Sequence, residues 1–134
     1  MTQWHMKSKR KKTGGKRNTK RRCDKKLAWK GGDQAETIVA EKDKRNVKQT
    51  RGSTEKIKQK TAKNASISLP KEKKTVMAEI LLVTENKANR LYTRRNIITK
   101  GAIIKVKINN KEEKAKVTSR PGQNGIVQAV LLEE

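Results

Sequence analysis

The sequence predicts an all-β protein, in which a long, basic, extended N-terminal tail precedes a small barrel-like β domain. Three observations support this fold class. Positive charge is concentrated near the N-terminus, β-rich apolar segments are concentrated after residue 74, and turn-forming residues separate those segments. We place the boundary after residue 35, so that residues 1–35 form a basic extension and residues 36–134 form the β domain.

The extension is too polar to build a core of its own. Residues 1–30 hold 13 Lys or Arg residues and one acid, Asp24. Because burial cannot offset the entropy of ordering such a segment, we expect it to be disordered in the free protein. The whole chain has 36 Lys or Arg residues against 13 Asp or Glu residues, a net charge of +23. That charge favours a protein that normally lies against a polyanion.

Four segments predict the strongest strands. Residues 75–84 are mostly apolar and β-rich, as in a buried strand. Residues 102–108 alternate apolar and polar side chains, as in a strand with one buried face. Turn-forming residues 109–112 follow, so residues 114–118 are predicted to be the hairpin partner. Residues 126–132 close the chain as a further strand.

Weaker signals fill the rest of the β domain. Residues 36–39 and 56–69 are further strand candidates, residues 86–92 are compatible with one helical turn, and residues 120–125 predict a turn-rich loop. Together these patterns indicate four to six short strands, which suits a small barrel. Such a domain buries only about 60% of its unfolded surface, so it should be marginally stable alone.

Several function classes find no support in the residues. Cys23 is the only cysteine and His5 the only histidine, so we expect no disulfide, no zinc site and no Cys–His nucleophile pair. No apolar run reaches about 18 residues and no apolar signal-peptide core is present, which predicts no membrane partner. We therefore expect no catalytic residue, metal, cofactor or small-molecule substrate, and we predict that the protein is not an enzyme.

Segments spread over nearly the whole chain resemble one known family. They are Gln3-Trp4-His5 with the basic run Ser8–Arg17, the middle run Lys44–Gly52, and the C-terminal runs Glu85–Arg90, Arg94–Ile104 and Val117–Gly125. In this order they resemble the small-subunit ribosomal protein eight of the archaeal and eukaryotic type, the S-eight-e family. The chain lacks the long insertion of the eukaryotic members, so it resembles an archaeal one. It departs from the family after Gly52, where Ser53-Thr54 replaces the usual Gly-Asn.

The resemblance implies a structural constituent of the small ribosomal subunit, located in the cytoplasm within the ribosome. Its implied partners are small-subunit rRNA, bound in part by the extension of residues 1–35, and the neighbouring small-subunit ribosomal proteins. The charge pattern by itself leaves an alternative open, a chromatin-type DNA-binding protein, since a basic tail with a small β domain would also serve there. Preference for structured RNA over duplex DNA at equal salt concentration separates the two.

The residues predicted to contact RNA are mostly basic, because Lys and Arg neutralise phosphates and Arg adds a bidentate fork. Trp4 is included because no core is available to its segment, which favours stacking on a base over capping the β domain. Arg120 is left open between a phosphate contact and a solubilising role. The full set is Trp4, His5, Lys9, Arg10, Lys11, Lys12, Lys16, Arg17, Lys20, Arg21, Arg22, Lys44, Arg45, Lys48, Arg51, Arg90, Arg94, Arg95, Lys100 and Arg120.

Two glycine pairs and one tyrosine carry weaker signals. Gly14-Gly15 and Gly31-Gly32 either let the backbone approach phosphates closely, with positive φ, or only add flexibility. Tyr92 is expected at the edge of the β domain rather than as a stacking platform.

Overall fold

The structure is a computed structural model that describes residues 2–18 and 25–132, with the backbone alone at Arg51. The chain forms two compact units, Met1–Gln34 and Ala35–Glu134. The first contains the short strands β1 (Thr2–Trp4) and β2 (Lys30–Gly32), which pair antiparallel with Trp4 opposite Lys30. A 3₁₀ turn, Leu27–Trp29, leads into β2. None of the residues described in this unit is buried, so these described residues form no hydrophobic core.

The second unit holds the remaining elements. In chain order they are β3 (Thr37–Val39), β4 (Lys44–Gln49), a 3₁₀ turn (Arg51–Ser53), β5 (Glu55–Ala62), β6 (Asn64–Leu69), β7 (Lys74–Glu85), helix α1 (Arg90–Arg94), β8 (Ile97–Ile98), β9 (Ile103–Ile108), β10 (Lys111–Val117), helix α2 (Pro121–Asn124) and β11 (Gln128–Leu131). Five of these strands close into a barrel in the order β10-β11-β6-β7-β9, and the others form a sheet in the order β4-β5-β3-β8. The closed barrel confirms the predicted all-β, barrel-like class.

One cluster of buried side chains forms the core of the second unit. The buried core alternates small and branched side chains, as small barrels require. The alanines are Ala62, Ala65, Ala78, Ala102, Ala115 and Ala129, and the larger members are Ile67, Ile80, Val83, Ile98, Ile104, Val106, Ile108, Val117 and Val127. On β9 the buried positions 104, 106 and 108 alternate with more exposed ones, which confirms the predicted strand with one buried face.

The prediction of a buried strand at 75–84 is wrong about its burial. β7 turns Ala78, Ile80 and Val83 inward, while Met77 is 67% exposed and Leu82 is 41% exposed. A register shift against β9 between Ile80 and Leu82 leaves two successive residues outside. The physical reason is that a barrel offers each strand a single interior face, and no described element covers the outer face at Met77.

The start of β10 and the loop at 120–125 differ from their predictions because of the turns that the chain forms there. Asn109 and Asn110 both have positive φ, 46° and 67°, and Lys111 pairs with Ile108, so a two-residue type I′ turn replaces the predicted four-residue turn. β10 therefore begins at Lys111 instead of residue 114. The predicted loop at 120–125 contains the one-turn helix α2, with Pro at its first position and Gly125 at φ 73° after its end.

Other segments depart from the predicted elements in smaller ways. The strand predicted over 56–69 is interrupted at Lys63, and its halves β5 and β6 lie in different sheets. The predicted helical turn exists but lies later, as α1. Its start is fixed by Asn89, whose side chain accepts a hydrogen bond from the Leu91 N–H at 2.9 Å.

Candidate nucleic-acid interface

Residues 9–17 form a compact reversal that we call the basic loop. The Arg17 N–H donates to the Lys9 carbonyl at 2.9 Å, and the Lys11 N–H donates to the Gly15 carbonyl at 2.8 Å. Gly14 takes φ 83°, and a Cβ there would meet no atom within 4 Å, so the role of this glycine is the backbone reversal itself. The loop carries six exposed cations, which are Lys9, Arg10, Lys11, Lys12, Lys16 and Arg17.

The two arginines of the basic loop also hold its shape. Arg10 Nη1 donates to the Gly14 carbonyl at 2.9 Å, and Arg17 Nε donates to the Arg10 carbonyl at 3.2 Å. No described acidic side chain forms an ion pair with either of them. The loop therefore presents cationic groups in a defined arrangement, without carboxylates to neutralise them.

Trp4 is the last residue of β1, in the short ribbon of β1 and β2, and His5 follows it. Trp4 is half-buried in β1, and the His5 N–H donates to the Trp29 carbonyl at 2.8 Å. The His5 imidazole lies so close to Gly31 that any Cβ there would overlap the ring. Gly31 thus makes room for a side chain, a role that neither of the two predictions for this glycine pair anticipated.

A second cationic segment, residues 86–101, is held by asparagines, and we call it the arginine loop. Asn86 is buried; its amide donates to the Ile97 carbonyl at 3.1 Å and accepts from Thr99 Oγ1 at 3.0 Å. Asn96 adopts φ 50° and accepts from the Val83 N–H at 3.3 Å. These contacts fix a loop that exposes Arg90, Arg94 and Lys100. Tyr92 lies half-buried on α1.

Arg94 and Arg95 have different environments although they are neighbours. Arg95 Nη2 donates to Glu36 Oε2 at 2.7 Å, an ion pair that ties the end of α1 to the residue before β3. Within residues 2–18 and 25–132, the Arg94 guanidinium forms no hydrogen bond or ion pair. Arg94 is therefore available to a ligand, whereas Arg95 already has a carboxylate partner.

The segment Val117–Gly125 is mainly structural. Ser119 is buried, donates to the Ile126 carbonyl at 2.9 Å and accepts from the Gln128 N–H at 2.9 Å. A Cβ at Gly125 would lie 2.6 Å from Ile57 Cγ2, so this glycine lets the end of α2 pack on β5. Arg120 is exposed at the start of α2. These contacts give Ser119 and Gly125 structural roles.

β4 and β5 form an antiparallel hairpin, residues 44–62, which we call the lysine hairpin. All six residues of β4 are exposed, including the predicted site residues Lys44, Arg45 and Lys48. Sequence reasoning missed Lys56 and Lys58, which β5 places opposite Lys48 and Asn46. Lysine at every second position from 56 to 60 was the available signal, because alternate residues of a strand share one face.

Two lysines at the outer wall of the barrel have acidic partners, unlike those of the lysine hairpin. Lys105 Nζ lies 2.5 Å from Glu112 Oε2, and Lys63 Nζ lies 3.4 Å from Glu79 Oε1. The hydrogen bond from Lys105 and its positive charge hold the pKa of the Glu112 carboxyl below its usual range. On the lysine hairpin and the arginine loop, by contrast, Arg95 is the one described cation with an acidic partner.

Some of the predicted RNA contacts involve residues that the structure does not describe. Lys20, Arg21 and Arg22 lie in the segment that the structure does not describe, as does the side chain of Arg51. In the described part of the chain, no group of His, Cys, Asp and Glu side chains could hold a metal ion. The helices found there include none that is long and apolar enough to cross a membrane.

Comparison with known proteins matches most of the chain to one family. The family described as Ribosomal protein S8e matches residues 4–132. Three similar relatives bear the name small ribosomal subunit protein eS8. That of Methanosarcina barkeri is 43% identical over 130 residues, 97% of this chain and 98% of the relative. That of Pyrobaculum calidifontis is 42% identical over 121 residues (90% and 88%), and that of Methanosphaera stadtmanae 41% over 133 residues (99% and 100%).

Proposed function

The chain belongs to the ribosomal protein S8e family, and from that premise we propose that it binds rRNA through its basic extension and a basic face of its β domain. Its relatives are named small ribosomal subunit proteins, and the role that we assign to this chain is that of a structural ribosomal protein. The family is not enzymatic, which confirms the prediction that this protein is not an enzyme. We place it in the small subunit, in the cytoplasm, beside other small-subunit proteins.

One observation carries the proposal of rRNA binding. The basic loop and the arginine loop both expose cations, and among the described cations of the two loops only Arg95 has an acidic partner. Charges of one sign without counter-charges repel each other, so each loop is stabilised when a polyanion lies against it. Each phosphate contact also releases condensed counterions from the RNA.

The two parts of the chain contribute in different ways. We propose that residues 1–35 act as an extension that orders on rRNA and that residues 36–134 act as a rigid domain. Ordering the extension costs free energy at the moment of binding, because none of its described residues in the first unit is fully buried. Cations on the domain are already positioned by α1 and by the asparagine contacts, so binding them costs less ordering entropy.

A competition experiment tests the proposal. The full chain is bound to labelled small-subunit rRNA and challenged with unlabelled duplex DNA at equal salt concentration and equal phosphate concentration. We expect rRNA to be retained, and we expect the protein to co-sediment with small subunits in a salt-washed lysate. Equal competition by DNA, together with absence from the subunit fraction, would instead support the chromatin-type alternative.

A further inference from the structure

The register of the lysine hairpin places like charges directly against each other. Lys48 pairs with Lys56, and Asn46 pairs with Lys58. Residues that are directly opposed in an antiparallel pair share a face, with Cβ atoms about 4.5–5.5 Å apart. We call this array, made of Asn46, Lys48, Lys56 and Lys58, the lysine face. Like charges in this position destabilise a sheet.

No described acid compensates the lysine face. Glu55 is the only acid in the hairpin, and it pairs with Gln49. Alternation along the strand therefore puts Glu55 on the opposite side from Lys56. Within the part of the chain that the structure describes, none of the three lysines forms an ion pair.

On the barrel wall of the same domain, two lysines have acidic neighbours. Lys107 has Glu79 opposite on β7 and Glu112 opposite on β10. Lys105 is opposed to Lys114, but it also makes the ion pair with Glu112. On the barrel wall, each of these lysines therefore has an acid opposite it or in an ion pair with it. The facing lysines of the lysine hairpin have neither.

The other face of the hairpin is anchored, which fixes the direction of the lysine face. On that face Gln59 is buried, and Ile57, although 44% exposed, contacts Gly125 after α2. The side chains of Lys56 and Lys58 are half-buried, so their stems are constrained by neighbours. Such a surface is preorganised, and binding it costs less side-chain entropy than binding free lysines.

We propose that the lysine face is a binding surface for the sugar-phosphate backbone of rRNA, with phosphates in the place of the missing carboxylates. This inference rests on the proposed function and adds to it Lys56 and Lys58, which the sequence analysis did not identify. The Cβ atoms of facing lysines lie about 5 Å apart, and residues two positions apart on one strand are separated by about 6.6 Å along it. One phosphate can therefore accept hydrogen bonds from a facing pair. Such contacts position the RNA without reading its sequence.

Two charge-matched double variants test the inference in the full chain. Lys48→Gln with Lys56→Gln removes the facing pair, whereas Lys107→Gln with Lys116→Gln removes two exposed barrel lysines. For binding to small-subunit rRNA, the steepness of log affinity against log salt should fall by about 0.7–0.9 in the hairpin variant, the change expected for the one phosphate contact that the facing pair shares. The barrel variant should keep the parental slope.

Thermal melting of the free proteins gives an independent readout. At low salt the hairpin variant should melt about 1–5 °C higher than the parent, because a repulsive pair is removed. The barrel variant should melt at a lower temperature than the parent, because the substitution removes the positive charge of Lys107 that lies between Glu79 and Glu112. A Lys48→Arg, Lys56→Arg variant retains both charges and should keep the parental salt slope.

Each failure has a distinct meaning. If the parent binds rRNA and the hairpin variant keeps the full slope, the lysine face is not an RNA surface while the proposed function stands. If the parent itself does not prefer rRNA, the proposed function fails. A hairpin variant that melts lower than the parent overturns the repulsion on which the inference depends. Intact rRNA binding with lost subunit incorporation would indicate a protein partner and overturn the RNA assignment.

Discussion

At the scale of single residues, the segments that resemble the family contain two kinds of side chain. Asn86, Asn96, Ser119 and Gly125 are held by hydrogen bonds or by close packing inside the domain. Arg94, which lies between two of them in the chain, faces solvent. The sequence could identify the segments, but it could not separate the two kinds of residue, because the separation depends on contacts between distant parts of the chain.

Separate substitution of the two neighbouring arginines tests this distinction. Arg94→Ala should weaken rRNA binding and leave the melting temperature unchanged, because its guanidinium faces solvent. Arg95→Ala should lower the melting temperature by about 1–4 °C, since the lost pair with Glu36 is partly exposed and worth at most about 1 kcal/mol. Filter binding and thermal melting measure the two effects.

A control for the arginine experiment comes from the partner carboxylate. Glu36→Gln should reproduce the lower melting temperature of Arg95→Ala without the loss of RNA affinity expected for Arg94→Ala. Identical behaviour of the two arginine variants in both measurements would contradict the different roles assigned to them.

Gly125→Ala tests the packing of α2 on the lysine hairpin. We expect the free energy of unfolding to fall by about 2–4 kcal/mol, because the position combines φ 73° with a Cβ contact of 2.6 Å to Ile57 Cγ2. Gly52→Ala is the control, since Gly52 has φ 75° but open space around it, and should cost only about 1–2 kcal/mol. Urea unfolding gives both values, and equal losses would show that the contact with Ile57 carries no cost.

At the scale of elements, prediction succeeded where one face of a strand is buried. The alternation over 102–108 and the turn-forming asparagines after it identify β9 and its hairpin partner, because burial and turn chemistry leave local signals. β4 was not predicted, since all its residues are exposed and charged or polar apart from Val47. Its pairing depends on β5, which a local pattern does not reveal.

The extension provides the element-scale prediction. In free protein, amide NMR signals from residues 2–18 should be sharp and poorly dispersed, because no described residue of the first unit is buried and like charges repel. Signals after residue 75 should show β-type dispersion. Addition of rRNA should order the basic loop and the ribbon of β1 and β2. Dispersed signals from Trp4 to Arg17 without RNA would contradict this expectation.

At the scale of the whole molecule, the charge distribution was predictable and the topology was not. The distribution of residue types along the sequence places the strongest positive charge near the N-terminus and the apolar strands after residue 74. The closure of the barrel depends on β6 pairing parallel to β11, where Ser66 faces Gln128. Such a distant pairing leaves no local signal, so the sequence indicates a barrel-like class without giving the strand order.

The overall charge gives the whole-molecule prediction. If about 6–10 phosphates are neutralised, rRNA affinity should fall by about 10³–10⁵-fold between about 50 and 200 mM salt. Deletion of residues 1–30 should flatten this dependence, because the deleted segment carries 13 of the 36 Lys and Arg residues. Binding titrations over a salt series measure the slopes. An unchanged slope after deletion would assign the electrostatic contacts to the β domain.

The parallel pairing of β6 with β11 also affects the order of events during translation. A nascent chain cannot close the barrel until Gln128–Leu131 has left the exit tunnel, whereas the basic extension emerges first. Before closure, β6 and β10 each have an open edge, which can pair with other chains and aggregate. Early capture of the extension by nucleic acid would hold the unfinished domain apart from other nascent chains during that interval.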